Sequence, residues 1–135
     1  MHNRKAHRRT LGRPRRERSR SDLKELAIRE IWYDYTYRSR HNGIELTLTY
    51  EQFKVLIFKN CEYCKEPPSN IKKKARWGNY NLRYTGIDRK NPSCGYTEEN
   101  SVPCCQKCNR IKTDILTHEE MRIAMRALLR ARCRK

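Results

Sequence analysis

Four of the seven cysteines form two pairs with the spacing of metal-chelating turns. Cys61 and Cys64 make the first Cys-x-x-Cys pair, and Cys105 and Cys108 make the second. Each pair places two thiolates on one side of a tight turn, and two such turns complete the tetrahedral shell of a structural Zn²⁺. A redox role is disfavoured because no thioredoxin-like βαβ pattern surrounds either pair. The spacing therefore predicts a structural zinc ion on these four cysteines.

The other three cysteines are not needed for this shell. Cys104 could replace Cys105 in principle, but only Cys105 has the x-x spacing to Cys108. We expect Cys94 and Cys133 to be free thiols. The long segment between the two pairs exceeds an ordinary zinc-ribbon spacer, so it is predicted to enclose a hairpin of its own.

The composition shows why such a metal is needed. The chain has 135 residues, of which only 23 are Leu, Ile, Val or Phe, and 32 Lys and Arg face 15 Asp and Glu for a net charge of +17. That balance lies on the disordered side of the usual boundary. Zinc binding contributes on the order of 10 kcal/mol to folding, which can offset a small apolar core.

The sequence excludes membrane-spanning and secreted classes of protein. The longest apolar run is Val55–Phe58, far shorter than a membrane span. The basic N-terminus has no apolar core of a signal peptide. We expect a cytoplasmic protein, bacterial or phage-encoded, in which cysteines stay reduced and bind metal. An organelle transit peptide, which is also Arg-rich, stays an alternative.

Four segments are expected along the chain. Residues 1–20 read as a basic disordered arm, 21–60 as N-terminal helices, 61–117 as the zinc-bound core and 118–135 as a basic C-terminal helix. Three capping boxes predict helix starts. The predicted pairs of N-cap and third helical residue are Asp22 with Glu25, Thr49 with Gln52, and Thr117 with Glu120.

The remaining elements follow from residue type and spacing. Residues 82–88 and 101–103 suggest two strands, a helix should follow through 108–112, and 65–81 look like a basic, irregular insertion. The last helix should bury one stripe, formed by Met121, Ala124, Met125 and Leu128. Tyr33, Tyr35 and Tyr37 could stack on nucleobases. Such aromatic side chains more usually cover a small hydrophobic core.

Clustered positive charge predicts a polyanion partner, DNA or RNA. Such contacts bind phosphate without reading sequence and weaken with salt. The candidate binding residues lie in the arm, in the insertion and on the last helix: Arg8, Arg9, Arg15, Arg16, Lys72, Lys73, Lys74, Arg76, Arg122, Arg126 and Arg130.

Two stretches resemble the HNH endonucleases, also called ββα-metal or His-Me finger nucleases. They are GIDRKNPSCGYTEENSVPCCQKCNRIK at 86–112, and LTLTYEQF at 46–53 leading into the first cysteine pair. The likeness covers about 40–117 and is strongest to the zinc-stabilised phage and homing type. It implies an α+β fold, a small zinc-stabilised ββα-metal domain with flanking helices. The implied activity is DNA phosphodiester hydrolysis with Mg²⁺ or a similar divalent ion.

The resemblance also implies roles for individual residues. Asp88 and Asn109 would be ligands of the catalytic ion, and their oxygen ligands suit Mg²⁺. Asn100 would pin the loop between the hairpin strands. The general-base histidine of the family is replaced here by Arg89, whose guanidinium cannot accept a proton at neutral pH.

The replacement leaves three alternatives. Arg89 clamps the scissile phosphate while another group activates water, or the site is inactive, or the protein cuts slowly and nicks one strand. Tyr63, Tyr84, His41 or His118 could assist, although the sequence does not place them. His118 is expected to be an exposed residue at a helix start.

A non-enzymatic alternative uses the same features. In it the zinc-stabilised scaffold only presents basic surface to RNA or DNA, for instance inside a ribonucleoprotein. The Asp88–Asn109 pair favours the enzyme, because a pure binding surface gains nothing from a carboxylate facing phosphate. Target sequence, homing or nicking activity, and monomer or homodimer stay open.

Overall fold

The structure, a computed structural model, describes residues 18–74 and 80–134. The four arm arginines (8, 9, 15 and 16) and Arg76 lie outside these ranges. The elements in chain order are α1 (Arg20–His41), α2 (Tyr50–Leu56), β1 (Asn70–Lys74), β2 (Tyr80–Tyr84), β3 (Gly86–Arg89), β4 (Ser101–Cys104), α3 (Gln106–Lys112) and α4 (His118–Cys133). The strands form two antiparallel pairs, β1–β2 and β3–β4. This is the expected α+β class.

Helix α1 begins one turn earlier than predicted. The Ser19 hydroxyl accepts the backbone N–H of Asp22 at 3.1 Å, and the Asp22 carboxylate accepts the N–H of Ser19 at 3.1 Å. Asp22 is therefore the third helical residue of the capping box and not the N-cap. The prediction of an N-cap at Asp22 is wrong because Ser19 supplies the same chemistry three residues earlier.

The other two capping boxes are confirmed. Thr49 caps α2 with Gln52 at the third position, and Thr117 caps α4 with Glu120. On α4, however, only Met121 and Met125 are buried, while Ala124 and Leu128 are exposed. The predicted stripe is too wide because α4 touches the domain through one narrow edge against the cysteine cluster.

The segment predicted as an irregular insertion contains a β-hairpin. β1 pairs with β2 in a register that places Asn70 opposite Tyr84 and Lys72 opposite Leu82. The hairpin sequence shows little alternation of apolar and polar residues, because Leu82 is the one buried residue of β2. Leu82 packs into the core beside α1. The single strand predicted over 82–88 is in fact two strands, which Thr85 separates. The Thr85 N–H donates to the Ile57 carbonyl, and the Thr85 hydroxyl donates to the Lys59 carbonyl.

The second hairpin and α3 form the expected ββα unit. Gly86 pairs with Cys104 and Asp88 with Val102. Around this unit lie two small cores, one on each side. The first holds Ala27, Ile28, Ile31, Leu48, Phe53, Ile57, Leu82 and Ile87, and the second holds Cys61, Tyr63, Val102, Cys104, Cys105, Cys108, Met121 and Met125.

The three tyrosines of α1 have different surroundings. Tyr35 packs on the first core and its hydroxyl accepts the N–H of Ile87 at 3.0 Å. Tyr33 and Tyr37 are exposed. The preferred role as a core roof is thus correct for Tyr35 and wrong for the other two. Within the described ranges, no helix combines the length and apolarity that crossing a membrane requires.

We predict that Gly95→Ala destabilises the domain. The Tyr96 N–H bonds to the Glu45 carbonyl at 2.8 Å, and a Cβ at position 95 would overlap that same carbonyl oxygen. The backbone would have to move, at a cost of about 1–3 kcal/mol in unfolding free energy. Thermal denaturation of the zinc-loaded protein measures the loss.

Gly43→Asn is the matched control. A side chain at position 43 meets nothing within 4 Å, and asparagine tolerates the positive φ of 64° found there. Its melting temperature should stay near that of the wild type. An unchanged melting temperature in Gly95→Ala would show that the Glu45–Tyr96 contact can yield without cost.

Candidate metal centre and active site

The four predicted zinc ligands converge. The sulfur atoms of Cys61, Cys64, Cys105 and Cys108 all lie within 4.8 Å of one another, and the Cys64–Cys105 sulfur separation is 3.7 Å. A tetrahedral ion with Zn–S bonds of about 2.3 Å needs sulfur separations of about 3.8 Å. The donor set and its spacing therefore fit a structural zinc ion.

Backbone hydrogen bonds hold the two knuckles together. Cys105 is the N-cap of α3, and its sulfur accepts the N–H of Cys108 at 3.5 Å. The N–H of Cys105 in turn donates to the sulfur of Cys61 at 3.3 Å, while the N–H of Glu62 bonds to the Pro103 carbonyl at 2.8 Å. Two segments distant in sequence are thus fixed against each other at the cysteines.

Electrostatic interactions among the cysteine thiols also favour a bound cation. Hydrogen bonding from the Cys104 thiol lowers the pKa of Cys61 to about 4. Burial raises the pKa of Cys64 to about 11, and burial together with the charge on Cys61 raises that of Cys108. The charge on a Cys61 thiolate opposes the ionisation of Cys64 and Cys108, and a cation bound between them would offset that repulsion.

The remaining cysteines behave as predicted. Cys104 is buried but outside the cluster, and its sulfur lies 3.4 Å from the Cys105 carbonyl oxygen. Cys94 and Cys133 are exposed free thiols.

Asp88 lies at the centre of a buried polar cluster. Its Oδ2 accepts a hydrogen bond from the Tyr63 hydroxyl at 2.9 Å and lies 3.2 Å from the Lys112 ammonium. Lys112 is fully buried and also donates to the Arg89 carbonyl at 2.9 Å. The role of Lys112 was missed from the sequence. Its spacing of three residues from Asn109 on α3 was the available signal, since such residues share a helix face.

Tyr63 connects this cluster to His118. The Tyr63 oxygen lies 3.2 Å from His118 Nδ1, and the two rings pack with centroids 5.6 Å apart. His118 is the first residue of α4, as expected, but the expectation that it is exposed is wrong, because its side chain packs on Tyr63 and is 21% exposed. Of the four assisting groups considered, Tyr63 contacts Asp88 directly, and His118 contacts Tyr63. Tyr84 lines a neighbouring cleft and His41 ends α1.

Arg89 points into the loop that follows β3. Its Nη1 donates to the carbonyls of Pro92 and Cys94 at 2.7 and 3.2 Å, and the guanidinium lies over the Tyr96 ring at 5.5 Å. Its Nη2 is 3.8 Å from Asp114. These contacts shape the loop, and a phosphate contact of Arg89 stays a prediction.

Asn100 closes the same loop. Its side chain accepts the N–H of Asn91 at 2.9 Å and donates to the carbonyls of Asn91 and Gly95 at 3.0 and 2.8 Å. These three bonds are what the pinning role inferred from the resemblance requires.

Asn109 borders an open cleft of about 560 Å³ between α1, β1 and α3. Asn109 is exposed, and its side-chain amide makes no hydrogen bond to another described side chain. Asn109 lies one turn before Lys112 on α3, and Lys112 contacts Asp88. Asn109 and Asp88 both carry oxygen ligands suited to a hard divalent ion.

The described basic residues differ in their contacts. Lys72 pairs with Glu30 and Asp34 at 3.7 and 3.2 Å, and Arg122 pairs with Glu119 at 3.5 Å. Lys73, Arg126 and Arg130 are exposed, and only the backbone of Lys74 is described. Their binding of nucleic acid stays a prediction.

We predict that removing the metal unfolds the second core. A strong chelator, or Cys108→Ser, should abolish the helix signal from residues 40–117 in circular dichroism, because zinc supplies on the order of 10 kcal/mol. The untreated protein should contain one zinc per chain by elemental analysis. Cys94→Ser, which removes an exposed thiol, should retain both zinc and spectrum. An unchanged spectrum after complete zinc removal would contradict the assignment.

Comparisons with known proteins agree with this architecture. No protein-family model matches the chain. An uncharacterized protein of Acanthamoeba polyphaga mimivirus is 34% identical over 73 residues, which are 54% of this chain, and the chain spans only 12% of that relative's length. The structure of the rare-cutting HNH restriction endonuclease PacI matches with a TM-score of 0.60 and 25% identity, over 77% of this chain and 78% of PacI. The chain is therefore a small α+β domain with an HNH-like structural neighbour and a four-cysteine cluster that can hold a metal such as zinc.

Proposed function

We propose that the chain is a metal-dependent DNA endonuclease of the HNH type that hydrolyses phosphodiester bonds. The observation that carries this proposal is the Asp88 carboxylate of β3, which Tyr63 and Lys112 hold in place, with Asn109 one turn before Lys112 on α3. The match to an HNH restriction endonuclease supports a nuclease function at the level of the superfamily.

Asp88 and Asn109 would hold the catalytic Mg²⁺. Bound there, the ion would neutralise charge on the scissile phosphate and on the leaving oxygen. Lys112 serves as a positioning residue, because its ammonium fixes the orientation of the Asp88 carboxylate from the protein interior.

His118 is the group best placed to accept a proton in place of the missing histidine. Burial and the neighbouring Asp88 charge raise the pKa of Tyr63, so its phenol stays protonated and donates to Asp88. The phenol has one hydrogen, so the contact with His118 requires a hydrogen on Nδ1. Nε2 of the neutral ring is then the free acceptor, 3.9 Å from Glu62.

The finer features of the proposal rest on charge and resemblance. Arg89 would shape the loop beside the scissile phosphate, and the basic residues of β1 and α4 would contact flanking phosphates. A homing or single-strand nicking role in the cytoplasm of a bacterium or phage host is part of the proposal, with either a monomer or a homodimer.

Two observations favour the non-catalytic alternative. The Lys112 ammonium already neutralises Asp88, and the Arg89 guanidinium is engaged by loop carbonyls. A zinc-stabilised binding module would need nothing more. Cleavage assays separate the two functions because a module binds DNA but leaves it intact.

We expect supercoiled plasmid to be nicked or linearised by the zinc-loaded protein with Mg²⁺, and left intact when Ca²⁺ replaces Mg²⁺. Asp88→Asn and Asn109→Ala should each reduce cleavage by at least about 100-fold, since the first removes the charge of one proposed ligand of the ion and the second removes the other ligand. DNA binding by Asn109→Ala should stay within about threefold. Glu99→Gln, an acid-to-amide change at an exposed site, is the control. Bound but uncut plasmid under every condition would establish the binding module instead.

We expect the cleavage rate to depend on pH through His118. Burial lowers the pKa of this imidazole below its usual 6.5, aided by Lys90 and Arg122 and opposed by Glu62 and Glu119. The neutral, proton-accepting form therefore persists at neutral pH, and the rate should fall only as the pH drops below about 6.5. Single-turnover rates between pH 5 and 8 measure this dependence.

His118→Gln is expected to lower the rate by about 10²–10⁴-fold and to remove the acidic limb of the profile. Glu119→Gln, at the next position of α4, should change neither. A variant at position 118 that keeps the wild-type profile would assign the limb to another group.

A further inference from the structure

Three aromatic rings form an exposed ladder along α1. Tyr33, Tyr37 and His41 recur every four residues, and successive ring centroids lie 6.3 and 6.1 Å apart with interplanar angles of 22° and 7°. Tyr33 and Tyr37 are 66% and 58% exposed. We refer to these three residues as the aromatic ladder.

The ladder contributes nothing to the core. Helix α1 buries its opposite side through Leu23, Ala27, Ile28 and Ile31. Large aromatic side chains usually bury most of their surface. Two tyrosines left in solvent in a chain so poor in apolar residues therefore indicate a surface that contacts a partner.

We propose that the aromatic ladder stacks against unpaired nucleobases of DNA, so that the preferred substrate contains single-stranded or locally opened DNA. This inference rests on the proposed function for its choice of polymer. Bases stack at about 3.4 Å, so a base between two rings needs a ring separation of about 6.8 Å. The observed centroid spacings are within 1 Å of that value, and the rings are already nearly parallel.

Charge favours DNA over a second copy of this chain as the occupant. The chain carries +17, which opposes self-association and attracts a phosphate backbone. On the helical wheel, Arg38 and Arg40 lie on opposite sides of the ladder. The two nearby acidic residues, Glu30 and Asp34, are paired with Lys72.

The ladder lies about 100° around α1 from the residues that line the cleft bordered by Asn109. Asp34 and Arg38 of α1 line this cleft, and each follows a ladder tyrosine by one residue. A DNA strand lying in the cleft can therefore continue across this edge of α1 onto the rings. Stacking would hold bases beside the proposed cleavage site without reading their sequence.

Binding to two probes tests the proposal without requiring cleavage. Fluorescence anisotropy with the zinc-loaded chain in Mg²⁺-free buffer would use labelled oligothymidine of about 20 nucleotides and a fully paired duplex of equal length. Tyr33→Ala combined with Tyr37→Ala should weaken oligothymidine binding at least about tenfold and duplex binding less than about threefold. Alanine is a good helix former at exposed sites, so α1 should remain folded.

Two control variants isolate the rings. Tyr33→Phe combined with Tyr37→Phe keeps both rings and should retain oligothymidine binding. Ile123→Ala removes a side chain of α4 that is 58% exposed and should also retain it. Loss in the phenylalanine variant, equal loss on both probes, or no loss in the alanine variant would overturn the proposal.

Sedimentation velocity distinguishes the competing occupant. A wild-type dimer that the alanine variant converts to monomer, with unchanged DNA binding, would identify the ladder as a self-association surface and overturn the proposal. The binding measurement in Mg²⁺-free buffer does not require cleavage. An absence of cleavage with stacking retained would therefore refute only the nuclease, and cleavage without stacking would refute only the ladder.

Discussion

The convergence of four cysteine sulfurs is the constraint on which the rest of this domain depends. With few large apolar residues and a charge of +17, the chain cannot hold its second core by apolar burial alone. That core consists largely of the cysteines and their neighbours, with two methionines of α4 packed on them. A metal on the four cysteines would fix the turn after α2 to the start of α3 and stabilise the surface on which α4 packs.

The same constraint positions the candidate active site. Tyr63 lies inside the first cysteine pair, and Asn109 directly follows the second. A metal on the four cysteines would therefore also fix the positions of these two residues relative to β3. Asp88 on β3 receives Tyr63 from one knuckle and Lys112 from the helix that the other knuckle begins. Structural and catalytic roles are therefore coupled, and a weakened zinc shell should displace both partners of Asp88 together.

Features determined by local chemistry could be predicted from the sequence, and features determined by packing could not. The cysteine spacing, the caps at Thr49 and Thr117 and the ββα unit require only nearby residues or a resemblance. The β1–β2 hairpin has a weak pattern because only Leu82 of β2 is buried, and α1 supplies the packing. Lys112 was missed, and His118 was named but not placed, because their contacts with Asp88 and Tyr63 join residues distant in sequence.

The burial of Lys112 explains how the site can retain an ionised cluster in so small a domain. Two unit charges removed from water are costly unless paired with good geometry and further hydrogen bonds. Lys112 meets both conditions through Asp88 and the Arg89 carbonyl. Removing either charge would leave the other buried and unpaired. A divalent ion arriving at Asp88 therefore joins a carboxylate whose position is already fixed, and binding requires little further ordering of the protein.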